Sequence, residues 1–272
     1  MYLDDILVAS ENKEEHKHHL NTLFDRLEEH GLFIKVEKCL FGVEQIDFLG
    51  HRVDQNGIRP LPSKVEAIKN FPTPVNVKSL ERFLGMVNFY HGFIPHAAKI
   101  VQPLYQALSG RPKPKTLVWS DTLSEAFQNT KEALANATML HHPVQGALTA
   151  LTSDASDTAV GAVLEQKIAG KWKPLAFFSR QLRKPELKYA TFDCELLGIH
   201  LAIKHFRYFL EGRKFTIFTD HEPIVPAMHK SSEASSDRQA RQLAAIAEAS
   251  TDIQHVETAS GQRVNRSMTV SK

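Results

Sequence analysis

Residues 147–166 read ALTALTSDASDTAVGAVLEQ, and the fold is decided by how this stretch divides. Residues 147–154 and 160–166 are strand-length apolar runs separated by a short polar turn. A third run, 175–179, follows beyond Gly170, so three adjacent strands joined by short turns are predicted. A long helix is expected over 191–210, stopping at Gly212. Residues 215–219 then read as a strand ending in Asp220. A short helix near 223–229, a helix near 237–248 and a last strand at 253–256 complete the pattern. A hairpin meander followed by helix-linked strands implies a mixed five-stranded sheet with covering helices, in the α/β (α+β) class.

Three acids stand out in this pattern. Strand alternation puts Leu148, Ala150, Thr152 and Asp154 on one face, with Asp154 at the end of a strand otherwise fit for burial. Asp220 ends a second strand in the same way. On the long helix, Glu195, Ile199, Ala202, Phe206 and Phe209 share one stripe, so Glu195 lies on the face that packs against the sheet. A charge there is costly unless something neutralises it. Three acids aimed at one edge would also repel one another. A divalent cation removes both penalties, and oxygen-only ligands with open water positions suit Mg²⁺. Two such ions about 4 Å apart can activate a water and stabilise a leaving 3′-oxygen. Taken singly, each acid is better read as a turn, surface or capping residue; their joint placement brings the metal reading level with that one. Asp157 and Asp193 read as a turn residue and a helix N-terminal residue.

Upstream, residues 1–60 read as a strand entering Asp4-Asp5, a helix capped by Ser10 and ending at Gly31, and a hairpin. The hairpin's strand-like runs fall at 32–34 and 46–49, with Asp54-Gln55-Asn56-Gly57 as its turn signal. Residues 61–110 form a small helical unit, in which Leu80, Phe83, Leu84 and Val87 stand at helical spacing. Residues 111–146 are read as a tether that includes a helix over about 123–137. Residues 147–257 make the sheet domain and 258–272 a divergent tail.

The 272 residues carry 33 Lys/Arg against 31 Asp/Glu. That balance neither demands nor forbids a phosphate-backbone partner. Two cysteines, Cys39 and Cys194, exclude a disulfide framework and point to a reducing, intracellular setting, cytoplasmic or nuclear. No run approaches the ~18 apolar residues of a membrane-spanning helix, and residues 1–5 lack the features of a secretory signal. His16, His18 and His19 lie near one helix and read as a solvated face rather than a zinc site.

Several strings resemble the Pol polyprotein of gypsy-type LTR retrotransposons. Tyr2-Leu3-Asp4-Asp5 is similar to the YxDD polymerase motif, Phe48-Leu49-Gly50-His51 to the primer-grip hairpin, and the run from Arg82 to Tyr90 to the thumb helix. Thr152 to Asp157, Gly161 to Leu164 and Phe177-Phe178-Ser179 resemble that family's RNase H. Glu195 to Ile199, Phe206 to Gly212, Thr219-Asp220-His221 and Arg238 to Leu243 continue it in order. The resemblance implies a partial reverse-transcriptase palm and thumb followed by an RNase H-like domain that cleaves RNA in RNA:DNA hybrids. It implies two Mg²⁺ ions, with Mn²⁺ able to substitute, held by Asp154, Glu195 and Asp220. It further implies Asp4 and Asp5 as a polymerase-site remnant. Phe48, Leu49, Gly50, His51, Arg82, Arg238 and Arg241 are the implied nucleic-acid contacts. The implied partners are an RNA:DNA hybrid and a complete reverse transcriptase or the rest of a Pol polyprotein.

The sequence departs from the family in three places. The upstream Asp and the fingers of the polymerase site do not precede Tyr2, so no polymerase activity is expected of this chain alone. His91-Gly92 replace paired arginines after Tyr90, which predicts a looser hybrid grip. No Asp follows Asp252, where the family supplies a fourth metal-binding acid. Hydrolysis is therefore one expectation, and a catalytically silent nucleic-acid-binding remnant or an unstable product are others.

Overall fold

The computed structural model describes residues 5–109, 116–229 and 236–256. Helix α1 (Lys13–Glu29) starts at Asn12, whose side chain accepts from Glu15 N. Ser10, expected to be the cap, lies two residues too early, and its hydroxyl instead meets the rings of His16 and His19. The strand expected at 32–34 does not form. Phe33 is almost fully exposed there, and an apolar run without a pairing neighbour has no reason to extend as a strand. The sheet of this region is the meander β1 (Gln45–Phe48), β2 (His51–Asp54) and β3 (Gly57–Pro60). Its second turn is closed by Asp54, which accepts from Asn56 N and Gly57 N.

Helices α2 (Pro62–Lys69), α3 (Val77–Phe89), α4 (Ala97–Ala107) and α5 (Asp121–Ala135) share one core. Phe83 and Phe127, both fully buried, meet with ring centres 4.6 Å apart. The stretch expected to be a tether is therefore corrected: α5 is capped by Ser120 and buries Leu123, Ala126, Phe127 and Leu134 in this core. Its apolar stripe needs burial as much as those of α2–α4, and it finds it against them.

The larger sheet contains β4 (Thr149–Ala155), β5 (Ala159–Ile168), β6 (Lys171–Gln181), β7 (Phe215–Thr219) and β8 (Ile253–His255), in the order β6-β5-β4-β7-β8. Its pairs are antiparallel from β4 to β6 and parallel across β4-β7 and β7-β8, a mixed five-stranded sheet as expected. One face packs on α6 (Thr191–His205), α7 (Arg207–Leu210), α8 (Ile224–His229) and α9 (Asp237–Ala249), burying Leu151, Leu164, Leu196, Ile199 and Ile217. The other receives the α2–α5 unit, whose core includes Val163 and Phe177.

Two details differ from the sequence reading. Leu148 is 68% exposed and precedes the strand, while β4 buries both alternating sets because helices cover both its faces. The long helix breaks at Phe206, where the backbone turns (φ −90°, ψ 14°) as the ring enters the core.

Candidate active site

Strands β4 and β7 run parallel in a register that pairs Ser153 with Thr219. The next residue on each is an aspartate, so Asp154 and Asp220 emerge together at the carboxyl edge of the sheet, where open α/β sheets bind ligands. Helix α6 brings Glu195 to the same edge. It approaches β4 closely because Gly198 has no side chain; a carbon there would lie 3.0 Å from Ser153 Oγ. Oxygen atoms of Asp154, Glu195 and Asp220 all fall within 4.8 Å of one another.

Glu195 is only 3% exposed. Its Oε1 accepts from Ala155 N at 3.1 Å, and its Oε2 is buried without a hydrogen-bond partner. Burial, then the charges of Asp220 and Asp154, push its pKa up to about 8. Burial and Asp154 also raise Asp220. Such a cluster is unfavourable as three carboxylates and favourable around a cation. The donors are all oxygens, and one of them is an orphaned buried oxygen, so the set fits a hard divalent ion.

Asp193, in the first turn of α6, is more than a helix-start residue. Its Oδ1 accepts from Arg238 Nη2 at 2.9 Å and from Gln239 Nε2 at 2.8 Å. The Arg238 guanidinium also lies 3.9 Å from the centre of the Tyr189 ring. Arg238, expected as a nucleic-acid contact, is thus engaged in holding α9 against α6. The sequence carried a signal for this start: Ser236 and Gln239 form a capping box. Arg241 is exposed and donates to Asp237 O.

The remaining expected residues lie elsewhere. Gly50 O accepts from Tyr90 Oη at 2.7 Å. The His51 ring is stacked against Phe89 and Phe93, with ring centres 5.2 and 5.4 Å away. Gly50 and His51 are thus tied to the helical unit, Phe48 pairs with His51 across β1 and β2 with Leu49 in the turn between them, and Arg82 is exposed on α3. Asp5 is exposed; Asp4, Tyr2 and Leu3, like the tail from 257 onward, lie outside the described residues.

Residues 119–217 match the family described as RNase H-like domain found in reverse transcriptase, and residues 1–53 match reverse transcriptase (RNA-dependent DNA polymerase). The chain is 34% identical over 243 residues to the Transposon Tf2-3 polyprotein of Schizosaccharomyces pombe, covering 88% of this chain and 18% of that one. It is 38% identical over 224 residues to the retrovirus-related Pol polyprotein from transposon 297 of Drosophila melanogaster, covering 82% and 21%. It therefore spans about a fifth of the length of these curated relatives. Among solved structures, a foamy viral protease-reverse transcriptase in complex with double-stranded DNA matches 92% of this chain and 44% of its own, at TM-score 0.76 and 21% identity. A foamy viral protease-reverse transcriptase without the dRH designation of the first, in complex with RNA/DNA hybrid, matches 97% and 36%, at TM-score 0.75 and 21% identity. These two likenesses are likenesses of fold.

Proposed function

Because this chain belongs to the reverse transcriptase and RNase H segment of LTR-retrotransposon Pol polyproteins, we propose that it hydrolyses the RNA strand of RNA:DNA hybrids at Asp154, Glu195 and Asp220. The observation that carries this reading is the convergence of three carboxylates within 4.8 Å, one of them buried with an unpartnered oxygen. Asp154 and Asp220 offer carboxylates from two adjacent strand ends. Glu195 offers a third from the helix, and the N–H of Ala155 fixes the rotation of its carboxyl group. Divalent ions held there, Mg²⁺ first and Mn²⁺ as a substitute, would supply the Lewis-acid charge that phosphodiester hydrolysis needs. The chain's own part is positioning: α6 is seated on the strand edge at Gly198 and through the Glu195–Ala155 contact, and Asp193 ties α6 to α9.

The chain's likeness in fold to a reverse transcriptase in complex with RNA/DNA hybrid supports the hybrid as substrate class. Relatives that are polyproteins support a larger Pol product as the working context. One observation favours a second reading, binding without cleavage: among the described residues the cluster holds three acids and no fourth. Incubating the pure chain with a hybrid labelled on each strand in turn separates the two. Cleavage of the RNA strand alone, with Mg²⁺ or Mn²⁺, is expected; salt-sensitive binding with both strands intact in either metal would establish the second reading.

A further inference from the structure

Helix α4 belongs to the helical unit, yet its first turn is pinned to the catalytic edge of the larger sheet. Ala98 N donates to Ser179 Oγ at 2.8 Å, and Gln181 Nε2 donates to Ala98 O at 3.3 Å. Ser179 pairs with Gly161, which in turn pairs with Asp154 across β4 and β5. Cross-strand partners present their side chains on the same face. Gly161 presents none, and the space above it is taken by His96, whose Nδ1 would lie 3.6 Å from a side-chain carbon at that position. His96 therefore flanks Asp154 on the face opposite to α6.

Three properties of His96 mark it out. Its backbone is left-handed (φ 51°, ψ 27°), a region uncommon for residues other than glycine. Strain of this kind gathers at functional sites. It occupies the N-cap position of α4, but its side chain does not cap the helix. Its ring is half-buried, and Asp154 is near enough for the carboxylate charge to oppose the depression of its pKa by burial. It is not one of the groups clustered within 4.8 Å, so it borders the three acids rather than joining them. Lys99 lies three residues along the same helix face, exposed, and near enough to act on His96 electrostatically.

A cluster of acids repels a polyanionic strand, and a donor or cation beside it adds to whatever neutralisation bound ions supply. We infer that His96 and Lys99 form a phosphate-contact site for the nucleic-acid strand that enters the Asp154 edge, so the helical unit contributes in cis to the RNase H-like centre. His96 donates a hydrogen bond to a backbone phosphate next to the cluster, and Lys99 supplies the charge one turn away. This inference rests on the proposed hydrolytic reading for its substrate, but its test does not depend on turnover.

The experiment is hybrid binding by the full chain in Ca²⁺, followed by anisotropy across a salt series. His96→Gly removes the ring while relieving the left-handed backbone, so the fold is retained and the melting temperature holds or rises. It is expected to weaken hybrid affinity about tenfold, the loss of one hydrogen bond to a charged group. His96→Asn, which tolerates the same backbone and keeps a donor, is expected to recover most of that loss. Lys99→Ala is expected to lower the slope of log K against log salt by about one. Hybrid affinity unchanged in a folded His96→Gly chain overturns the inference, whatever the cleavage rate. Absence of cleavage in the unaltered chain with His96→Gly still weakening binding would overturn the hydrolytic reading and leave this site standing.

Discussion

The N–H of Ala155 donates to Glu195 Oε1 at 3.1 Å, while Oε2 of the same carboxyl group is buried with no partner. One oxygen is thus fixed by the strand, and on the proposed hydrolytic reading the other is the one that meets an ion. This contact couples helix α6 to strand β4 at the point where the acids meet, and it opposes, without overcoming, the burial and the charges of Asp220 and Asp154 that raise the Glu195 pKa.

Glu195 holds its proton to about pH 8 in the folded chain, against 4.5 when unperturbed. Between those values the folded state binds more protons than the unfolded state, so stability falls as pH rises and levels off above about 8. Histidines whose pKa burial lowers, His91 and His96 among them, push the other way in the lower part of this window, so the test is the difference between the unaltered metal-free chain and Glu195→Gln, and the melting temperature of the unaltered chain relative to the variant is expected to fall as pH rises. A difference that stays constant or grows with pH through the window would contradict the raised value.

Metal binding must displace that proton. Mg²⁺ or Mn²⁺ affinity, measured calorimetrically, is expected to rise from pH 6 to pH 8 and then level off, with proton release at the lower end. Affinity independent of pH, or unchanged in Asp154→Asn, would remove Glu195 and its neighbours from the site.

Gly198 sets the depth of α6. Alanine there gains about 1 kcal/mol of helix propensity but presses on Ser153 Oγ, which also donates to Gly161 O. The close approach costs about 1–3 kcal/mol unless Ser153 yields. Gly198→Ala is expected to cut hydrolysis at least tenfold with a small change in stability, and Ser153→Ala in the same chain to restore much of it. Hydrolysis unaffected by the single change would show that the approach does not govern Glu195.

The contact of α9 on α6 can be read as a double-mutant cycle. Asp193 is 15% and Arg238 38% exposed at the side chain, so their pairing is partly screened. Arg238→Ala is expected to cost about 1–2 kcal/mol, including its seat on Tyr189. Combined with Asp193→Asn, the losses should be less than additive. Strict additivity in urea melts would mean that the two side chains do not act together.

Much of the sheet was legible because β4, β5 and β7 carry their apolar residues in short runs bounded by turn signals. The acids were legible for a related reason: Asp154 and Asp220 end such runs, and Glu195 sits on a stripe with Ile199 and Ala202. What local pattern could not carry was context. Leu148 looked like the start of a buried face but lies beyond the strand. Leu32, Phe33 and Ile34 have strand-like composition without a neighbour to pair with. Helix α5 lies in a stretch that reads as a tether, although Phe127 completes the core around Phe83. His96 had no signal at all, since 58 residues separate it from Asp154 and only the docking of α4 on β6 brings them together.

On the proposed hydrolytic reading, Asp154, Glu195 and Asp220 act as one metal-dependent centre. Single-turnover cleavage of a 5′-labelled RNA strand in a hybrid tests it most directly, with the unaltered chain beside Asp154→Asn, Glu195→Gln and Asp220→Asn. The expected result is RNA cleavage that needs Mg²⁺ or Mn²⁺ and falls by about 10³-fold or more in each variant, with hybrid binding retained. Cleavage that survives any of the three substitutions, or that proceeds in EDTA, would contradict it.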